Sequence, residues 1–153
     1  MACPFFSPTE PLPWGRWNGK FRPPLGRLYD GQCKVKQNAK QGDDFRPPGR
    51  LIENACNMGY ARDECDRFAG ESGPDAVRFV LRNDDGSAVR IDYTMERAHL
   101  PWAHGSVTFH RAGRKWSGLD VGTVPRAQAE AYLRSYLEWK ESESTAEEQC
   151  QRE

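Results

Sequence analysis

Apolar and polar residues alternate over 75–83 (DAVRFVLRN), putting Val77, Phe79 and Leu81 on one face. That period of two is the signature of a strand buried on one side. NDDGS follows as a hairpin turn, and AVRIDYTME alternates again, with Val89, Ile91, Tyr93 and Met95 inward and Arg90, Asp92, Thr94 and Glu96 outward. HLPWAHG reads as a loop because Pro101 and Gly105 interrupt it, and SVTFHRAG as a third strand with Val107 and Phe109 facing in. The period then changes. In VPRAQAEAYLRSYLEWK, opened by Pro125, residues Ala129, Tyr132, Leu133, Tyr136 and Leu137 form one apolar stripe at helical spacing. The expectation for 74–141 is a three-stranded antiparallel sheet covered by one C-terminal helix, an α+β arrangement.

The stretch 1–70 shows neither period. Eight of the eleven prolines fall within residues 1–50, and proline there precludes a long helix or a central strand. The same stretch carries Phe5, Phe6, Trp14, Trp17, Phe21 and Phe45, more aromatic residues than a disordered linker holds. An irregular, ordered wrap over something apolar is expected. Within it, RLIENACNM (50–58) suits a short helix capped by Gly59, and ARDECDRF (61–68) another turn or two. We therefore expect a proline-rich, metal-wrapping segment over 1–70, packed with the sheet and helix of 74–141 as one unit. The acidic end, 142–153, reads as a disordered tail.

The chain has 153 residues, enough for one ordinary domain. Its hydrophobic fraction of 37% and mean hydropathy of −0.84 allow only a modest core, which a cofactor or partner would supplement. No apolar run approaches the roughly 20 residues of a membrane span. The opening stretch before Arg16 has no basic residue and no continuous apolar run, so it does not read as a secretory signal. A cytoplasmic location is the expectation, and there cysteines are kept reduced. Net charge is zero, although residues 1–50 carry +5 and residues 117–153 carry −4. A +5 segment is mildly basic, short of the dense stripe of a dedicated nucleic-acid binder.

Of five cysteines, Cys150 lies in the acidic tail, and Cys3, Cys33, Cys56 and Cys65 all lie in the proline-rich half. Four is the ligand count of a closed metal site. FRPPLGRL (21–28) and FRPPGRL (45–51) each precede a cysteine by five residues after the leucine, and CPFF places Cys3 against a proline. Stiff approaches hold thiolates in position before a metal arrives. Arg22 and Arg46, or Arg27 and Arg50, are the cations expected beside them. The spacing C-x29-C-x22-C-x8-C has no close pair of the kind zinc sites show. A four-iron, four-sulfur cluster is larger than one ion, accepts ligands from separate loops and needs apolar shielding. It is the first expectation, with zinc as the alternative. Four small buried core cysteines are the plain reading without chemistry.

MACPFF, PTEPL, LYDGQC and NACNMGYARDECDRF together resemble an uncharacterised bacterial family of small four-cysteine proteins. The likeness covers residues 1–68 and part of the strand region. The resemblance implies cluster binding and names no reaction.

His99, His104 and His110 form no H-E-x-x-H arrangement, and no G-x-G-x-x-G, P-loop or G-x-S-x-G motif is present. No nucleophile stands out with its base. The expected function is thus a small iron–sulfur protein with a structural, electron-transfer or accessory role and a protein partner, leaning away from catalysis. A structural zinc module associated with single-stranded nucleic acid is the alternative.

Overall fold

The computed structural model describes residues 1–16, 22–35, 45–68, 73–118 and 122–150, with side chains in the final helix described to Thr145. Trp17 and Phe21 of the aromatic wrap and residues 151–153 of the acidic end lie outside the described residues.

Among the described residues, two antiparallel sheets replace the expected single one. In the proline-rich half, β1 (Phe6–Pro11) pairs with β2 (Tyr29–Cys33). The second sheet has four strands in the order β3 (Ala76–Asp84), β4 (Ala88–Arg97), β5 (Leu100–His110) and β6 (Lys115–Ser117). The expectation of one three-stranded sheet is therefore wrong. The causes are local. β1 tolerates Pro8 and Pro11 because it is an edge strand in a two-stranded ribbon, where a missing N–H leaves no second neighbour unbonded. Gly31 opposite it hides the alternation for another reason: a Cβ there would lie 2.7 Å from the Phe6 ring. β6 has only three residues, too few to display a period, and is fixed by Trp116 against Phe109, ring centroids 5.3 Å apart.

The expected loop HLPWAHG is also strand from Leu100 onward. Gly105 is no break, since the Tyr93 ring lies across it and a Cβ would meet that ring at 2.7 Å. Pro101 sits opposite Glu96 beside a bulge in the register, the place where a sheet accepts proline. Ala98 and His99 make the intervening turn at φ 48° and 63°, a left-handed pair for which Asn-Gly is the usual sequence.

One turn of helix, α1 (Gly49–Leu51), runs directly into a π-helical turn, Ile52–Cys56. Gly59 ends it at φ 75°, its N–H donated to Ala55 O at 2.9 Å. Residues 61–68 form turns, with Cys65 N donating to Ala61 O at 2.8 Å, where another helix was expected.

The last helix, α2 (Thr123–Cys150), packs on both sheets, and this explains why its buried face is partly polar. Toward the larger sheet, Tyr132 stacks near Phe79 and its hydroxyl accepts Leu81 N at 3.0 Å. Toward the smaller one, Tyr29 of β2 reaches Ala131 O at 2.7 Å and Ser135 Oγ at 2.8 Å. The helix continues to Cys150, into the stretch expected to be tail, and Glu141–Thr145 are exposed. Asp84 at the end of β3 accepts Arg111, Tyr136 Oη and Lys140, fastening the sheet's turn to α2. No helix among the described residues is long and apolar enough to cross a membrane.

Candidate metal centre

The four early cysteines lie on four different segments, and the backbone of each is hydrogen-bonded. The Cys3 turn precedes β1, where Phe6 N donates to Cys3 O at 3.1 Å and Cys3 N to Cys56 O at 2.9 Å. Cys33 ends β2, and its N–H donates to Phe45 O at 2.7 Å. Cys56 closes the π-helical turn; such turns are rare and frequent at functional sites. Cys65 starts the turn that brings Phe68 N to Cys65 O at 2.9 Å.

These segments bring all four cysteines to the wall of one cavity, together with Phe6, Val35, Phe45, Leu51, Arg67 and Phe68. The four thiols are unpaired by disulfides; Cys3 and Cys56 are buried, and Cys33 and Cys65 partly so. The site is sided, with two deep sulfurs and two nearer the surface. Burial pushes the Cys3 thiol up to about 12, against a backbone hydrogen bond from Phe5, with repulsion from Cys33 and Cys65 adding to the rise. Cys56 is raised further by burial and by repulsion from Cys3, Cys33 and Cys65. Both deep thiols are therefore neutral at pH 7 while nothing offsets their charge.

Two buried amides hold this frame, and neither stood out in the sequence. Asn57, immediately after Cys56, accepts Tyr29 N at 3.0 Å and donates to Tyr29 O at 2.9 Å and Ile52 O at 3.0 Å. It staples the strand carrying Cys33 to the turn carrying Cys56. Gln128 of α2 donates to Cys3 O at 2.7 Å and Phe6 O at 2.8 Å, holding the Cys3 turn from behind. Their only sequence signal is an amide among apolar neighbours, which is too common to choose them.

The expected cations are elsewhere. Arg22 lies over the Trp139 ring at 4.7 Å, Arg27 pairs with Glu138 at 2.6 Å, Arg46 pairs with Asp30, and Arg50 lines a separate pocket. Arg67 lines the cysteine cavity instead. The two proline-rich repeats also part company. The first leads into strand, with Gly26 at φ 84° against Ser135, and the second into helix from Gly49.

The histidines do not line the cavity. His99 stacks on Tyr60 at 4.1 Å, His104 lies opposite Thr94, and His110 meets Ser117 Oγ at 3.0 Å. Among the described residues, no three His, Cys, Asp or Glu side chains stand in an arrangement that could hold a single metal ion. Comparison with protein-family models, with curated proteins and with solved structures finds no match to this chain.

Proposed function

We propose that this chain is a small iron–sulfur protein in which Cys3, Cys33, Cys56 and Cys65 bind a four-iron, four-sulfur cluster. The observation that carries the reading is one apolar cavity walled by all four thiols, although they come from four separate segments of the chain. The donor set suits the group. Thiolates select zinc, copper(I) and iron–sulfur centres, and among the described residues this cavity wall adds no carboxylate or imidazole. A cluster takes one thiolate per iron, so its ligands stand farther apart than those around one ion. Phe6, Phe45, Leu51 and Phe68 supply the shielding such a centre needs.

With one cysteine on every iron, no iron is left open to substrate. The role is structural, electron-transferring or accessory, carried out with a protein partner in a reducing compartment such as the cytoplasm. Zinc is the second reading, since an all-sulfur donor set suits it, although the four thiols would have to shift from their present arrangement to share one ion; in that form the chain is a structural module, with single-stranded nucleic acid as its candidate associate.

Anaerobic purification followed by metal and sulfide analysis separates these readings. A brown protein with about four irons and matching sulfide per chain supports the cluster. A colourless protein with one zinc overturns it in favour of the second reading, and a protein binding neither metal overturns both.

A further inference from the structure

Arg67 follows Cys65 by two residues and is the cation in the wall of the cysteine cavity among the described residues. Its guanidinium lies over the Phe45 ring, 3.9 Å from the centroid. Phe45 is also the residue whose carbonyl holds Cys33 N at 2.7 Å. Stacking on Phe45 fixes the plane of the guanidinium. The Arg67 Nε is nevertheless buried with no acceptor among the described residues. A buried N–H without a partner is costly and calls for an explanation. Its residue lines a cavity whose other side chains are cysteine or apolar.

We infer that Arg67 sets the reduction potential of the centre by donating its Nε–H to a sulfur of the cluster or of a ligating cysteine. This rests on the cluster reading above. A cluster held by four thiolates is anionic, and one electron taken from a reductant adds another negative charge. A fixed cation and a donated hydrogen bond stabilise that reduced form more than the oxidised one. The potential rises accordingly. Arg50, exposed and on a separate pocket, has no such role.

The test is a spectroelectrochemical titration of anaerobic wild-type protein and of Arg67→Leu, Arg67→Lys and Arg50→Leu, with dithionite as reductant. Arg67→Leu is expected to weaken the reduced form about tenfold relative to the oxidised one, a shift of about 59 mV to lower potential for one electron. Arg67→Lys keeps the charge and loses the planar donor, so it falls between Leu and wild type. Arg50→Leu stays at the wild-type value. A wild-type potential in either Arg67 variant, at wild-type iron content, overturns the inference and leaves the cluster intact as a proposal. If Arg67→Leu does not load iron, Arg67→Lys decides by the same criterion. A wild-type protein without iron overturns the reading beneath the inference.

Discussion

Asn57→Ala tests whether the cysteine cavity is a prebuilt frame. The side chain is fully buried and makes three hydrogen bonds, to Tyr29 N, Tyr29 O and Ile52 O, at 2.9 to 3.0 Å. Each bond contributes about 1 kcal/mol net, and a buried backbone group left without a partner costs about 1–3 kcal/mol. The removal strands the N–H and carbonyl of Tyr29, itself fully buried, so about 3–5 kcal/mol is the expected loss. In urea unfolding of the metal-free protein this lowers the midpoint by about 1.5–2.5 M at a slope of about 2 kcal/mol/M. Metal affinity should fall as well, because Cys33 and Cys56 lose their fixed relation and the metal must then order them. A loss below about 1 kcal/mol, with affinity unchanged, would refute the frame.

Gln128→Leu keeps the volume, strands Phe6 O and leaves Cys3 O with Phe6 N as its donor, costing about 1–3 kcal/mol in the same assay; iron content after reconstitution should fall with it. Asp84, whose carboxyl is held well below the usual range by Arg111, burial opposing and Lys140 and Tyr136 assisting, contributes stability that is present above the unfolded carboxylate range and lost as pH falls below that range toward the depressed folded value. Asp84→Asn should flatten the acid limb of the stability-versus-pH curve. The raised Cys3 and Cys56 thiols have the opposite consequence: metal-free stability is full below the unfolded thiol pKa near 9 and is lost as pH climbs through the raised folded values, about 12 for Cys3 and higher for Cys56. Loading must expel those protons, so cobalt(II) titration should show affinity rising with pH between 6 and about 8 and protons released on binding.

What could be read in advance depended on how local its cause was. Val77 and Phe79 announce a strand because one face of β3 is buried and the next residues are not. α2 is legible through Ala129 and Leu133, but its second buried face, with Gln128 and Ser135, is invisible until β1 and β2 pack on it. The turn at Ala98 and His99 carries none of the usual residues; Asp75 holds it by accepting Ala98 N at 2.7 Å, from 23 positions away. For the cavity, the number of early cysteines was informative and their spacing was not. FRPPLGRL and FRPPGRL present one pattern that the fold uses in two ways, and three of the four arginines in them are taken by Glu138, Asp30 and Trp139. Arg67 joins the wall of the cysteine cavity, its guanidinium over the ring of Phe45, a residue far off in sequence.

X-ray absorption at the iron edge of anaerobically purified protein is the most direct test of four cysteines gathered on one inorganic centre. The account predicts an all-sulfur first shell with a strong iron–iron scattering path, retained in Cys150→Ser and lost when Cys3, Cys33, Cys56 or Cys65 is replaced singly by serine. Iron bound by oxygen and nitrogen without a neighbouring iron, or a spectrum indifferent to which of the five cysteines is changed, would contradict it.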